Sequence, residues 1–162
     1  MFRRIIDHPN LEYVRLIASF VSTVYVFKQY VGQLTVVNGP SMLPTLNRSG
    51  DLCICDQFSA QILRHIKVGD IVTCYSPRNR NNIVCKRVKG LAGDVVEVKA
   101  RNNWESDRKV TVPQGHVWLE GDNRELSIDS REYGPVPTSL ITSKIALRIW
   151  PLSQFGPLDP LK

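Results

Sequence analysis

The chain has 162 residues, 43% of them hydrophobic and 22% charged, which suits one packed domain plus an appended segment and excludes both intrinsic disorder and a polytopic membrane protein. Ten Gly and ten Pro are spread along the chain, so collagen-like and low-complexity architectures are excluded and many tight turns are expected. The formal net charge of +6 raises anionic partners, nucleic acid or membrane lipid.

Leu11 to Val31 reads LEYVRLIASFVSTVYVFKQYV, with an apolar heart from Leu16 to Phe27 broken only by Ser19, Ser22 and Thr23. This predicts a helix. From Leu11 to Phe27, at about 1.5 Å per residue, it reaches roughly 26 Å, short of a bilayer core of about 30 Å. Two readings stay open: a span in a thin membrane with Arg15 and Lys28 snorkelling outward, or an ordinary amphipathic helix. No small-residue cleavage site follows Phe27, so the segment is expected to be retained, and Asp7 and Glu12 argue against a matrix-targeting presequence. If the helix spans, Arg3, Arg4 and Arg15 place the N-terminus on the positive-inside face. Residues 1–31 are thus read as a membrane-anchor region and 32–162 as one further domain.

Beyond Gly32 the chain becomes short apolar runs between turn residues: LTVV, DLCIC, GDIVTCY, IVCKRV, VVEVKA, HVWLEGDN and KIALRIWPL. Each is short and most are rich in β-branched residues, which predicts a mainly β, antiparallel barrel or sheet assembly. Phe58 to Lys67 is read as a short helical or irregular connection and Asn102 to Lys109 as a loop. Cys53, Cys55, Cys74 and Cys85 form no C-x-x-C pair and have no His at zinc spacing, so packed free thiols are expected and no metal site. The basic residues between Arg78 and Lys109 are interleaved with Asp94, Glu97, Glu105 and Asp107, with Trp104 alone able to stack on a base. A solvated basic face is expected, not a nucleic-acid groove.

Three segments carry candidate chemistry. In Gly39-Pro40-Ser41-Met42-Leu43-Pro44-Thr45 two prolines bracket a serine, and each fixes its own φ and biases the preceding residue toward extended geometry, holding the Ser41 hydroxyl in one direction. That suits a nucleophile and equally a stiffened turn whose serine bonds the backbone. In Ile83-Val84-Cys85-Lys86-Arg87-Val88, strand alternation puts Lys86 between Val84 and Val88 on a core-facing side. Desolvation disfavours the ammonium and would make Lys86 a general base, unless its stem snorkels the amine to water. In the polar stretch Gly121 to Gly134, extended geometry would align Ser127, Asp129 and Arg131, with Asp129 pairing with Arg131 and Ser127 pointing at a neighbouring strand; a turn-rich loop with a solvated ion pair reads the same way.

Taken together and in this order, the segments resemble the conserved boxes of the type I signal peptidases, membrane-bound serine proteases with a Ser-Lys dyad. Gly115 to Asn123 and the tail Ile149 to Gly156 are similar to the mitochondrial inner membrane branch of that family, and the chain has no room for the extra β-domain of many bacterial members. The resemblance implies a compact signal-peptidase-like catalytic domain over 32–162, with Ser41 as nucleophile, Lys86 as general base, Ser127 orienting the lysine amine, and Asp129 and Arg131 holding the terminal box together. Some members supply an oxyanion hydroxyl two positions before the nucleophile, where this chain has Gly39, so the resemblance implies a hole that leans on the backbone, with the Ser41 N–H as donor.

The resemblance further implies no cofactor, a substrate adding to a strand edge with small residues before the cleaved bond, and precursor proteins with cleavable sorting signals as partners. It also implies membrane lipid, a second related protease subunit, no nucleic acid, and a site at the mitochondrial inner membrane facing the intermembrane space. Two other classes share part of this pattern. A self-cleaving Ser-Lys repressor peptidase would need a helical DNA-binding domain and a scissile Ala-Gly or Cys-Gly before the serine, and Ala92-Gly93 follows Lys86. A non-catalytic, membrane-tethered β module would tolerate loss of Ser41 and Lys86.

Overall fold

Alternation of apolar residues turns into strands wherever one face is buried. The computed structural model describes residues 9–26, 32–62, 65–100 and 106–158. Strand β2 (Asp51–Asp56) shows the rule plainly: Asp51, Cys53 and Cys55 are buried while Leu52, Ile54 and Asp56 lean outward, as period-2 geometry requires.

Helix α1 spans Pro9–Val26, and its apolar side chains, among them Tyr13, Leu16, Ile17, Phe20 and Tyr25, are exposed around the helix. Among the described residues no helix is long and apolar enough to cross a membrane. The expected span counted on Phe27, with Arg3, Arg4 and Lys28 at its flanks, and these lie outside the described residues.

The remaining strands are β1 (Gln33–Val37), β3 (Ile71–Tyr75), β4 (Ile83–Gly90), β5 (Val95–Val98), β6 (Arg108–Thr111), β7 (His116–Glu120), β8 (Val136–Pro137) and β9 (Ile141–Trp150). Seven form one antiparallel sheet in the order β1-β2-β9-β3-β4-β7-β8, and β5 pairs with β6 as a separate ribbon. The barrel-or-sheet expectation therefore resolves to an open sheet with β1 and β8 at its ends. The long β9 crosses from the C-terminal end of the chain to lie between β2 and β3, pairing Thr73 with Ser143 and Ile54 with Leu147.

One segment differs from expectation and another follows it. Arg108 and Lys109, read as the end of a loop, lie in β6, where they pair with Val98 and Glu97. Their charges stay in water while Val110 packs with Val96 against buried Trp118. Phe58–Ile62 forms a single short helical turn, as a helical or irregular connection would.

One core cluster gathers Val72, Cys74, Val88, Val117, Leu119 and Val136. A second gathers Val37, Met42, Leu46, Cys53, Cys55, Ile71 and Ile145. The second decides where Ser41 sits: Met42 and Leu46 are sunk into it, so burial of the two neighbouring side chains pins the turn that carries the serine.

Candidate active site

Ser41 lies in a 3-10 turn, Pro40–Met42, directly after β1. Pro40 at its first position needs no N–H there and has a preset φ, which favours the turn. Leu43, ahead of Pro44, is extended as expected, but Gly39 is not the biased extended residue anticipated from Pro40. Its φ is +123°, in the region that side chains rarely adopt. A Cβ at Gly39 would meet nothing within 4 Å, so it is the backbone angle, not crowding, that disfavours a hydroxyl-bearing residue at this position.

The Ser41 carbonyl accepts the Asn123 N–H at 2.9 Å, which ties the turn to the segment after β7. Gly121 sits at that junction: a methyl group there would stand 2.2 Å from Ser127 Oγ and 2.5 Å from Ser41 O. Only glycine lets the two backbones and Ser127 come so close.

Lys86 is buried in β4, with 4% of its surface exposed, and lines with Ser41 one cleft of about 320 Å³ whose walls include Val36, Met42, Thr73, Val84 and Cys85. Its amine does not snorkel. Among the described residues no carboxylate lies within ion-pair distance of it. Burial pulls its pKa below the ordinary lysine value, against a smaller upward pull from Asp129. Burial also pushes the Cys74 thiol up to about 11 and that of Cys85 higher, so both stay neutral beside the amine. All four cysteines carry free thiols.

Ser127 donates to Asp129 Oδ2 at 2.7 Å, and the same oxygen accepts the Gly121 N–H at 2.8 Å. Arg131 closes a bidentate fork on Asp129, its Nε donating to Oδ1 at 2.8 Å and Nη2 to Oδ2. The expected pair forms, but for another reason than strand alternation: Asp129 caps the N-terminus of the short helix α2 (Ser130–Tyr133), accepting from the Arg131 N–H. Ser127 turns to Asp129, not to a neighbouring strand. Burial alone would raise the Asp129 carboxyl, yet the bonds from Arg131, Ser127 and Gly121 hold it below the ordinary carboxylate range. Its charge pairs with Arg131, and its upward pull on the Lys86 pKa is smaller than the lowering by burial.

The sequence did not single out a second network. Arg87, facing the opposite side of β4 from Lys86, is 1% exposed and bonds Asp122 through Nε and Nη2, each at 2.8 Å, and Gly69 O through Nη1. Thr45 donates to Asp122 Oδ2 at 2.6 Å. One buried arginine therefore links the serine turn, the lysine strand and the segment after β7. The pairing of Arg87 with Glu120 across β4 and β7 brings Asp122 within reach, and that register is invisible in the linear sequence. Among the described residues no three His, Cys, Asp or Glu side chains gather as a metal site would.

A hydroxyl on a rigid turn and a desolvated amine in the same cleft are the parts of a serine endopeptidase whose base is a lysine. The chain belongs to the signal peptidase, peptidase S26 family: that family's description matches residues 10–104 and 99–150. The chain is 42% identical over 135 residues to mitochondrial inner membrane protease subunit 1 of Schizosaccharomyces pombe, covering 83% of this chain and 82% of the relative. It is 47% identical over 130 residues to subunit 1 of Xenopus tropicalis, covering 80% and 76%. It is also 32% identical over 161 residues to subunit 2 of Saccharomyces cerevisiae, covering 96% and 89%.

Proposed function

We propose that Ser41 and Lys86 are the nucleophile and general base of this serine peptidase, and that it removes N-terminal sorting peptides from precursors delivered to the mitochondrial intermembrane space. The neutral Lys86 amine takes the Ser41 Oγ proton as the oxygen attacks the scissile carbonyl carbon. The oxyanion forms against the Ser41 N–H. The Lys86 ammonium then protonates the leaving amine and the C–N bond breaks; a water, giving its proton to Lys86, attacks the acyl carbon, and Lys86 passes that proton to the departing Ser41 Oγ as the ester C–O bond breaks. Ser127 orients the Lys86 amine, while Asp129 and Arg131 hold the terminal segment together. Residues 1–31 anchor the chain in the inner membrane with residues 32–162 on the intermembrane-space side, and a second, related subunit completes the enzyme. The names of the relatives support the location and the pairing.

The observation that carries the reading is the buried Lys86, lining one cleft with Ser41 and lacking a carboxylate partner among the described residues. A lysine kept only for structure would bring its charge to water or to an acid. The test is cleavage of a sorting-signal precursor by the purified full chain in detergent, comparing wild type with Ser41→Ala and sequencing the new N-terminus. Wild type yields one mature terminus and Ser41→Ala, equally folded by circular dichroism, yields none; cleavage by Ser41→Ala at the wild-type rate would refute the nucleophile.

A further inference from the structure

Some of the basic residues between Arg78 and Lys109, read from the sequence as a solvated face, share a cleft with Arg124 and Arg131. Arg78, Lys99, Arg108, Arg124 and Arg131 line one cleft of about 740 Å³, with Glu132 and Ser127 in the same wall. Two of the guanidiniums are positioned by neutral main chain: Arg108 donates to Arg131 O at 2.8 Å, and Arg124 donates to Lys99 O at 2.8 Å and Ala100 O at 3.1 Å. Carbonyls orient these forks without cancelling their charge. Among the described residues the acidic counterweights are Glu132, paired with Arg78 at 3.0 Å, Asp129, spent on Arg131, Asp107, whose Oδ1 accepts the Ala100 N–H at 2.8 Å, and Glu120 and Glu125, which act on Arg131 at longer range.

The cleft adjoins the candidate active site. Ser127 belongs to its wall, and the Gly121 contact shows Ser127 Oγ and Ser41 O to be close neighbours. A polypeptide laid over Ser41 therefore meets a cleft of mixed polarity at the serine, with a cationic cleft close by. Planar guanidiniums match carboxylates in geometry and charge, and like-signed walls concentrate counter-charge.

We propose that this cleft binds acidic side chains of the polypeptide being cleaved, close to the scissile bond, and so selects substrates by charge. The proposal rests on the peptidase reading above and names part of the substrate class for that site. Recognition by exposed ion pairs is weak pair by pair and additive over several, and it is screened by salt.

The test uses the full chain in detergent and a set of peptides with one cleavage sequence, in which Asp replaces Asn at each flanking position in turn. For at least one position KM for the Asp peptide is expected to be lower than for its Asn counterpart by roughly tenfold, with kcat within about twofold. That advantage disappears in Arg108→Gln/Arg124→Gln, and also in Lys99→Gln/Arg124→Gln, which spares the bond to Arg131 O. Raising salt from about 50 to about 300 mM erases it in wild type, while the Asn peptides are cleaved alike by all three proteins. Equal KM values for Asp and Asn peptides at every position overturn the proposal, as does an equal loss on both peptides in the variants, which would mark the arginines as merely structural. Binding of wild type, but not of the variants, to vesicles containing phosphatidylglycerol, without peptide discrimination, also overturns it and assigns the cleft to lipid. Failure of the peptidase reading is told apart by anisotropy of labelled Asp and Asn peptides on Ser41→Ala: discrimination there without cleavage by wild type keeps the cleft and removes the enzyme.

Discussion

Gly121→Ala isolates the junction on which the candidate site depends. The added methyl carbon would stand 2.2 Å from Ser127 Oγ, 2.5 Å from Ser127 Cβ and 2.5 Å from Ser41 O, all inside van der Waals contact. Ser127 cannot simply rotate away, because its Cβ clashes as well and its hydroxyl is held by Asp129. Ser41 O is main chain, held by Asn123. The strain must therefore move the serine turn, the terminal segment, or both. Overpacking of this kind costs about 1–3 kcal/mol in stability, and a displacement of about 1 Å at a nucleophile costs on the order of a hundredfold in rate. Gly90→Ala is the control: its methyl would meet Val96 Cγ2 at 2.8 Å, the end of a side chain that can turn aside. Peptide cleavage and thermal denaturation of both variants decide the matter. Gly121→Ala should lose kcat by on the order of a hundredfold with only a small rise in KM, and Gly90→Ala should keep kcat. Near-normal kcat in a folded Gly121→Ala would refute the claim that the close approach sets the nucleophile.

Burial lowers the Lys86 pKa and only the neutral amine accepts a proton, so kcat/KM should climb as pH rises through that lowered value; a flat profile from about pH 6 to 9 counts against the base, and Lys86→Arg should be inactive because guanidinium keeps its proton. The same shift makes the wild type bind fewer protons folded than unfolded, so its stability should fall relative to Lys86→Met as pH drops below the ordinary lysine value, read by urea denaturation across pH. Asp122→Ala removes the buried carboxylate that pairs with Arg87 and should cost about 3–5 kcal/mol in the same assay, whereas Arg87→Met/Asp122→Leu should recover most of it; equal losses would deny the pairing. Asp129 is held below the ordinary carboxylate range, so its contribution is present above that range and lost as pH falls through the lowered value. Asp129→Asn should remove that acid-sensitive part of the denaturation curve and lower kcat more than KM.

Much of this molecule follows from local rules. The runs LTVV, DLCIC and IVCKRV alternate side chains in a way that only a strand satisfies, and they form β1, β2 and β4 where the pattern places them. The proline-bracketed turn and the lysine between valines are local too, since φ restriction and strand alternation act over a few residues. Other features needed long-range pairing. That β9 threads between β2 and β3, that Arg87 meets Asp122 and Thr45, and that Arg78, Arg108, Arg124 and Arg131 share one cleft all depend on register between segments distant in sequence. Hydropathy reports how deeply a residue wants to be buried, not which residue it meets. Local rules thus reach the strands, the serine turn and the placing of Lys86 between two valines, while long-range packing alone decides that its amine stays out of water, which charges neutralise one another and which are left to attract a ligand.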